Sequence, residues 1–157
     1  YKINYHNKHK LDLVDEILSN VDVIPNSIAL AQAAIESGWG KSRFAKEYNA
    51  LFGEYTYDNS KGVIPLEREN GDTHLIRAFS SYSNSVESYF NNINSHYAYE
   101  DFRDIRNIMR KRNNFSNVNL LINKLSTYAE DENYIKTITQ VIKTNNFSIF
   151  DQKTISY

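Results

Sequence analysis

The chain has 157 residues with 18 basic and 19 acidic side chains, which leaves a formal net charge of −1. This length suits one domain with a hydrophobic core, and the charge balance gives nucleic acid or an anionic membrane little electrostatic attraction as the main partner. The absence of cysteine excludes a disulfide-stapled mini-protein, whereas 12 tyrosines and 8 phenylalanines supply flat faces that pack a core or stack on sugar rings.

Residues 1–9 are polar and aromatic without a clear period, and we interpret them as an N-terminal arm. His6 and His9 have the spacing of a metal pair but lack a supporting set of acidic or thiol ligands, so we expect no metal there. No apolar run approaches the roughly 18 residues of a spanning helix, and no signal-peptide pattern opens the chain. Because Tyr1 is not an initiator residue, we expect a processed piece, with any export signal or anchor upstream.

The segment from Lys10 to Asn20 predicts a first amphipathic helix, because its apolar residues recur at helical spacing. The residues of this stripe are Leu11, Val14, Ile17 and Leu18. Pro25 disfavours helix at the residue before it and suits the first turn of the next helix. The sequence therefore predicts a break between two helices near residues 20–25.

The central helix is predicted to end near Ser37, because two glycines flank the only tryptophan in the run from Glu36 to Gly40. We expect one side of this helix to be buried, and its residues are Ile28, Ala31, Ile35 and Trp39. On another side, Ala29 and Ala33 accompany Gln32 and Glu36. Small alanines allow a large molecule to approach, so we interpret this side as one wall of a cleft.

Glu36 has the predicted environment of a proton donor. The last carbonyls of a helix carry partial negative charge, and partial burial near Trp39 acts in the same direction, so we predict a Glu36 pKa above about 4.3. A carboxylic acid that stays protonated near neutral pH can protonate a leaving-group oxygen. The alternative is that Glu36 is an ordinary exposed residue at a helix end.

After a short helix over residues 41–48, which Asn49 ends, the pattern changes to short stretches of apolar and aromatic residues. These stretches predict strands within residues 52–57, 62–66 and 75–79, with turns at Asp58-Asn59 and Asn70-Gly71. We therefore expect a small antiparallel β-region inserted in a helical domain.

Further helices are predicted toward the C-terminus. One has Ser83 as its cap, one spans residues 100–113, one has Ser116 as its cap, and the last follows Tyr134. The second of these has a basic cluster that we expect to face solvent, where it could also hold carboxylates or anionic polymers. The basic residues are Arg103, Arg106, Arg110, Lys111 and Arg112. We expect residues 146–157 to form a short tail.

The run AQAAIESGWGKSRFA over residues 31–45, followed by the run from Asn49 to Gly53, resembles the glucosaminidase domain of glycoside hydrolase family 73. The resemblance is strongest to the Bax-like branch of that family and covers roughly residues 22–146. It implies a protein that cuts N-acetylglucosaminyl linkages in bacterial cell-wall glycan. It also implies that Glu36 is the catalytic acid and that no metal or organic cofactor is needed.

The resemblance further implies a second carboxylate and a tyrosine beside the reacting sugar. Family members carry a second glutamate in a stretch ending Glu-Asn-Gly, and Glu67 matches its place best, although strand alternation leaves Glu69 as the alternative. The family's Tyr-Ala-Thr-Asp run is matched by residues 128–131, which implies that Tyr128 holds the acetamido group or a transition-state oxygen. Glu130 replaces the usual threonine and adds a carboxylate that would raise neighbouring pKa values. The alternative for Tyr128 is a core residue at a helix junction.

We expect substrate contacts from polar and aromatic residues of all these segments, namely Gln32, Trp39, Phe52, Tyr55, Tyr57, Glu69 and Tyr134. For Trp39 a second interpretation, a buried plug that fixes the helix stop, is the one we favour. For Tyr55 and Tyr57 we favour the cleft. His74 and His96 receive no role.

These inferences predict a mainly α (α+β, lysozyme-like) fold with a small antiparallel β-hairpin lobe, as a single domain over residues 1–157. The predicted function is that of an endo-β-N-acetylglucosaminidase, a monomer that hydrolyses β-1,4 bonds of peptidoglycan in the periplasm, in the medium or at the cell surface. The alternatives are a muramidase, a lytic transglycosylase, an endoglucosaminidase of glycoprotein glycans, and a non-catalytic glycan-binding or scaffold module.

Overall fold

The computed structural model describes residues 9–65, 73–112, 114, 117–129 and 131–151. Its helices are α1 (Lys10–Asn20), α2 (Asn26–Glu36), α3 (Arg43–Tyr48), α4 (Tyr82–Ser95), α5 (Glu100–Lys111), α6 (Asn119–Ile122) and α7 (Tyr134–Thr144). Its strands are β1 (Tyr55–Thr56), β2 (Gly62–Val63) and β3 (Leu75–Arg77), and two short 3-10 helices span Tyr97–Tyr99 and Phe147–Phe150. The prediction of a mostly helical fold with a small antiparallel sheet is confirmed. Within the described ranges, no helix has both the length and the apolar character that crossing a bilayer requires.

The chain divides into two compact units, and the divisions fall inside α2 and α4. The first unit contains residues 1–29 and 91–157, and the second contains residues 30–90. The first unit therefore includes α1 and α5 to α7. The second includes α3, the three strands and the end of α2 that carries Glu36.

In the first unit, apolar side chains of α5, α6 and α7 form the core. α1 packs against α5, α6 contacts both α5 and α7, and the 3-10 helix Phe147–Phe150 contacts α7. The most enclosed apolar side chains of this unit are Ile24, Ile28, Ile93, Phe102, Leu121, Ile122, Leu125 and Ile138. Val14, predicted to lie on the apolar stripe of α1, is exposed. This stripe is therefore covered only in part.

The basic residues of α5 depart from the prediction of a solvated face. Arg106 has 0% exposure and is the largest fully buried side chain of the described residues, and Arg103 is also buried. Arg110 pairs with Asp22, so the prediction holds only for Lys111 and Arg112 at the end of the cluster, which are exposed. Binding of anionic polymers by the whole cluster is therefore incompatible with this structure.

The physical reason lies in the acceptors that the guanidinium groups meet, because each guanidinium carries five N–H donors in a fixed plane. Nη1 of Arg106 donates to the carbonyl of Asp22 at 3.0 Å and to Oδ1 of Asn94 at 2.6 Å, and Nη2 donates to the carbonyl of Ser19 at 2.9 Å. Arg110 donates two hydrogen bonds to the Asp22 carboxylate, which raise the pKa of Arg110. Together these residues fix the end of α1 and the loop that follows it.

The segment after α7 is also more ordered than the predicted tail. The Phe147–Phe150 helix is followed by Asp151, whose buried carboxylate accepts a hydrogen bond at 2.8 Å from the N–H of Ser27 in the first turn of α2. The side-chain amide of Asn26 donates to the carbonyl of Phe150 at 3.0 Å. A carboxylate at a helix N-terminus satisfies an N–H group that has no partner within the helix and complements the helix dipole. Residues 146–151 therefore cap α2.

In the second unit, β3 is the central strand of a sheet with the order β1-β3-β2, and both pairings are antiparallel. Gly62 lies so close to this strand that a Cβ there would approach the Cβ of Leu75 to 2.5 Å. Asp58 accepts hydrogen bonds from the N–H and hydroxyl of Ser60, which forms the turn predicted at Asp58-Asn59. The turn predicted at Asn70-Gly71 lies outside the described residues.

The predicted bounds match α1, whereas the helix predicted to run through Val118 and Leu125 is the short α6, which ends at Ile122, and the caps of two helices differ. α4 begins at Tyr82, so Ser83 lies inside its first turn, and the hydroxyl of Ser81 accepts from the N–H of Asn84 at 3.2 Å in the capping position. Ser116 lies outside the described residues, and Val118 occupies the position before α6. Several serines in a row leave the capping residue ambiguous in sequence, because each has the same hydroxyl.

Candidate active site

The helix α2 ends in a Schellman motif, and Glu36 is its last residue. The N–H of Trp39 donates to the carbonyl of Ala34 at 2.7 Å, and the N–H of Gly38 donates to the carbonyl of Ile35 at 3.2 Å, which are the two bonds that define this motif. Gly38 has a φ of 56°, a left-handed conformation that glycine adopts without steric cost. The predicted helix stop is therefore confirmed, and its cause is a specific backbone turn.

Ser37 holds the turn that follows Glu36. Its buried hydroxyl donates to the carbonyl of Ala33 at 2.5 Å and accepts from the N–H of Gly40 at 2.7 Å. Its carbonyl accepts from the N–H of Ser42 at 3.0 Å. These bonds give Ser37 a structural task and fix the direction in which the chain leaves Glu36.

Trp39 differs from the buried plug that we favoured. Its side chain is 54% exposed, and its φ of 58° places it in the left-handed region between Gly38 and Gly40, whose φ values are 56° and 71°. The prediction of burial was wrong because the helix ends at Glu36, so Trp39 no longer follows the helical spacing that aligned it with Ile35. A side chain in this conformation costs about 1–2 kcal/mol, and the turn presents an indole at the surface.

Glu36 is half-buried, and its carboxylate lies against the backbone of Gly53. Oε2 of Glu36 is 3.5 Å from the place where a Cβ on Gly53 would be, and Gly53 has a φ of 62°. A side chain at this position would be strained and would touch the carboxylate. The run Asn49 to Gly53 and the Glu36 motif, which lie apart in sequence, are thus in contact.

Glu54 is a buried carboxyl that the motifs did not mark. Its side chain is 11% exposed, and its Oε2 accepts a hydrogen bond from the hydroxyl of Ser88 at 2.7 Å and lies 3.6 Å from Nη1 of Arg77. Burial raises the pKa of Glu54 above its ordinary value and outweighs the lowering by Ser88 and Arg77. One signal was available in the sequence, because strand alternation places Glu54 on the face opposite Tyr55.

Gln32 and Phe52 do not line an open wall. Gln32 is fully buried, and its Oε1 accepts a hydrogen bond at 2.7 Å from the hydroxyl of Tyr89. Phe52 is also buried and stacks on the ring of Tyr89, with ring centroids 4.1 Å apart. We therefore correct both expected substrate contacts, because α2 is covered on more than one face and these two side chains belong to the core of the second unit.

Tyr55 and Tyr57 are exposed, at 65% and 77%, in the region of β1. The ring of Tyr55 lies 4.3 Å from that of His74, at an interplanar angle of 30°. Both tyrosines therefore present aromatic surface to solvent. Their contact with a sugar stays a prediction.

Tyr128 and Tyr134 lie together in the first unit. Their rings are parallel within 1°, with centroids 5.8 Å apart, and the ring of Tyr99 lies 6.1 Å from that of Tyr128. Tyr134 is buried and therefore does not offer the predicted contact surface, whereas Tyr128 is half-buried. The buried neighbours hold the ring of Tyr128 in place.

The candidate second carboxylates Glu67 and Glu69 lie outside the described residues, as does Glu130. Their roles therefore stay predictions. Among the residues that the structure describes, no group of three histidine, cysteine or acidic side chains has the arrangement of a metal site. The imidazole of His96 accepts from the N–H of Ala98 at 3.3 Å, which is a local cap.

A sequence profile described as "Mannosyl-glycoprotein endo-beta-N-acetylglucosaminidase", the Glucosaminidase family, matches residues 11–147. The chain belongs to the glucosaminidase family. Protein bax of Escherichia coli is 33% identical over 129 residues, which cover 82% of this chain and 45% of that protein. Peptidoglycan hydrolase FlgJ of Escherichia coli is 34% identical over 93 residues, which cover 51% of this chain and 29% of FlgJ. This glucosaminidase domain thus spans less than half the length of these relatives.

Among solved structures, the catalytic domain of the autolysin Auto from Listeria monocytogenes superimposes with a TM-score of 0.61 at 21% sequence identity. The match covers 87% of this chain and 80% of the Auto domain. The predicted lysozyme-like class, mainly helical with a small antiparallel sheet, is confirmed by this likeness. The predicted resemblance to the Bax-like glucosaminidases is confirmed as well.

Proposed function

We propose that this glucosaminidase-family domain is an endo-β-N-acetylglucosaminidase that hydrolyses β-1,4 bonds in peptidoglycan, with Glu36 as the general acid. Membership of the family and the similarity to a peptidoglycan hydrolase and an autolysin support a glycosidase of the bacterial cell wall. The observation that carries the proposal is the position of the Glu36 side chain. Its carboxylate stands at the end of a helix whose terminus is held by a Schellman motif, and it faces a glycine backbone.

This position of Glu36 suits a proton donor for two reasons. The last turn of α2 presents carbonyl oxygens with partial negative charge, which disfavours the ionised form of a carboxylic acid beside them. Gly53 keeps a side chain away from the acid, because a Cβ at this position would lie 3.5 Å from Oε2 of Glu36. In the proposed reaction, Glu36 protonates the glycosidic oxygen as the bond to the anomeric carbon breaks.

A second group must stabilise or attack the positive anomeric carbon, and we assign this task to Glu67, with Glu69 as the alternative. Tyr128 is proposed to position the acetamido group of the sugar. The exposed rings of Trp39, Tyr55 and Tyr57 are proposed as surfaces on which sugar rings stack. No cofactor enters this reaction.

The proposed substrate places the protein in the periplasm, in the medium or at the cell surface, where peptidoglycan is found. We propose that the domain acts as a monomer.

The test is digestion of purified peptidoglycan, followed by reduction and identification of the new reducing ends. N-acetylglucosamine at those ends supports the proposal, muramic acid would indicate a muramidase, and an anhydro-muramic end would indicate a lytic transglycosylase. Release of free glycans from a glycoprotein, with peptidoglycan left intact, would indicate the glycoprotein activity.

The variant Glu36→Gln should lower kcat about 10²- to 10⁴-fold, because general acid catalysis contributes on that scale. Glu47→Gln is the matched control, since Glu47 is an exposed glutamate on α3. If Glu36→Gln digests peptidoglycan as fast as Glu47→Gln, the assigned acid is wrong. Retention of glycan without any release of reducing ends by the wild type would instead identify a binding module.

A further inference from the structure

Glu54 forms a closed set of interactions with two other elements of the second unit. The hydroxyl of Ser88 on α4 donates to Oε2 of Glu54 and accepts from Nη1 of Arg77 on β3 at 2.6 Å. The carbonyl of Glu54 also accepts from the backbone N–H of Arg77 at 2.8 Å. Glu54, the residue before β1, therefore contacts β3 through its main chain and both β3 and α4 through its side chain.

The other carboxyl oxygen, Oε1, is buried and has no hydrogen-bond partner within the described part of the chain. A buried carboxyl oxygen without a partner costs more free energy than a paired one, so an ordinary structural residue at this position would be apolar or fully hydrogen-bonded. The cost is smaller if the group is neutral, because a neutral carboxyl is easier to remove from water than a carboxylate. The acid at this position is therefore a candidate for a role beyond packing.

The position of Glu54 beside Gly53 indicates what that role is. Gly53 immediately precedes it, and Oε2 of Glu36 lies 3.5 Å from the Cβ position of Gly53. Gly53 has a φ of 62°, which glycine adopts without steric cost but does not prefer over other conformations, so the residues on either side decide where its backbone lies. The anchored side chain of Glu54 is a support on one side, and buried Phe52 is a support on the other.

We propose that Glu54 is a positioning residue for Glu36, and that its anchoring by Ser88 and Arg77 holds the Gly53 backbone against the carboxyl group of the acid. This inference rests on the proposed function, because it assigns a support to the proposed acid. Glu54 takes no part in the bond cleavage, so the neutral carboxyl and its isosteric amide should both serve.

Arg77 from β3 and Ser88 from α4 face the carboxyl group of Glu54, and Glu36 at the end of α2 faces the adjacent Gly53. Loss of the Ser88 or Glu54 side chain should therefore reach Glu36 through the Gly53 backbone.

The kinetic test compares Glu54→Ala, Glu54→Gln and Ser88→Ala with the wild type on soluble peptidoglycan fragments. Glu87→Gln is the matched control, because Glu87 is an exposed glutamate beside Ser88 on the same helix. We expect kcat to fall about 10- to 100-fold in Glu54→Ala and Ser88→Ala with KM within about 2-fold, since misplacement of a reacting group has effects of this size. Glu54→Gln should keep kcat near the wild-type value, because the amide oxygen can still accept the hydrogen bond from Ser88.

Two outcomes overturn the inference. Equal kcat per folded molecule in Ser88→Ala, Glu54→Ala and wild type would remove the positioning role, and Ser88→Ala decides alone if Glu54→Ala does not fold. A loss in Glu54→Gln as large as that in Glu36→Gln would make Glu54 a catalytic group instead.

A second readout does not depend on activity. The Glu36 carboxyl titration can be followed by NMR with carbon-13-labelled glutamate, and the Glu36→Gln spectrum identifies its signal. We expect the Glu36 midpoint to move in Ser88→Ala and Glu54→Ala by more than it moves in Glu54→Gln or Glu87→Gln. Unchanged midpoints would reject the positioning role, whereas an inactive wild type with moved midpoints would reject the proposed function and keep the contact.

Discussion

Each unit of the protein buries a charged side chain, and the two side chains differ in the number of groups that hold them. In the first unit, the terminal nitrogens of Arg106 donate to the carbonyls of Ser19, Asp22 and Val23 and to Oδ1 of Asn94, whereas Nε of Arg106 lies 3.9 Å from Oδ2 of Asp22, beyond hydrogen-bond distance. In the second unit, Glu54 has Ser88 and Arg77 at one oxygen and no hydrogen-bond partner among the described residues at the other.

This difference separates a structural charge from a candidate functional one. Arg106 is surrounded by acceptors that belong to the loop it holds, so its burial explains the fold of that loop. Glu54 has fewer partners and stands next to the glycine that faces Glu36. Incomplete pairing of a buried acid beside a candidate catalytic residue is a pattern that functional sites share.

The largest expected effect is on stability, at the buried Arg106. Arg106→Ala should lower the free energy of unfolding by about 3–5 kcal/mol, because it leaves the Asp22 carbonyl and carboxylate less well paired in a buried place. Denaturant unfolding measures this change. Lys111→Ala on the exposed side of α5 is the control and should cost at most about 1 kcal/mol, since its ion pair with Asp15 is exposed. Equal losses in the two variants would contradict the structural role.

The next effect concerns the glycine that faces the acid. Gly53→Ala and Gly38→Ala should each lower the free energy of unfolding by about 1–2 kcal/mol, because both glycines have a positive φ. A Cβ at Gly38 would meet nothing within 4 Å, whereas one at Gly53 would touch the Glu36 carboxylate. Thermal melts and kcat on peptidoglycan should therefore separate the pair, with a further loss of kcat only in Gly53→Ala. The same kcat in both variants would argue against the contact.

Asp151 is a third buried charged residue, and its carboxylate accepts a hydrogen bond at the start of a helix. Asp151→Ala should cost about 0.5–2 kcal/mol, because it removes the acceptor for the Ser27 N–H at the start of α2. Asp151→Asn keeps an acceptor oxygen and removes only the charge, so its loss should be smaller. Chemical denaturation measures both, and identical stability of Asp151→Ala and wild type would refute the cap.

The smallest effect is the pH dependence that Glu54 contributes. Because the pKa of Glu54 is raised from 4.5 in the folded protein, the folded state keeps a proton that the unfolded chain has already released. The contribution of Glu54 to stability is therefore present below pH 4.5 and falls as the pH rises through the raised pKa. The Tm of Glu54→Gln relative to wild type should therefore rise as the pH increases above 4.5. A constant difference would show that Glu54 ionises normally.

Sequence reasoning succeeded where local chemistry decides the structure. The spacing of Leu11 to Leu18 predicted α1 with its observed bounds, and Gly38 predicted the end of α2 because only glycine fits that turn easily. It failed where long-range pairing decides. Arg106 has the sequence pattern of a surface residue, and only acceptors from residues 19–23 and 94 allow its burial.

In the candidate site as well, features set by local sequence were predictable and features set by long-range contacts were not. The position of Glu36 at the end of α2 was predictable from its motif, whereas the burial of Gln32 depends on Tyr89, 57 residues away. Trp39 was misplaced because one left-handed residue changes the direction of everything after it. Glu54 was missed because no motif includes it, and its burial comes from α4 and β3, which lie far from it in sequence.

Gly38, Trp39 and Gly40 are three consecutive left-handed residues. The path of the chain away from Glu36 is therefore set mainly by backbone conformation. Substitutions on the surrounding surface should therefore be tolerated better than a change in the number of residues between Ser37 and Ser42, where one insertion or deletion would redirect the chain. An engineer who wishes to alter glycan preference should accordingly vary exposed rings such as Tyr57 and keep the length of this hairpin-like bend intact.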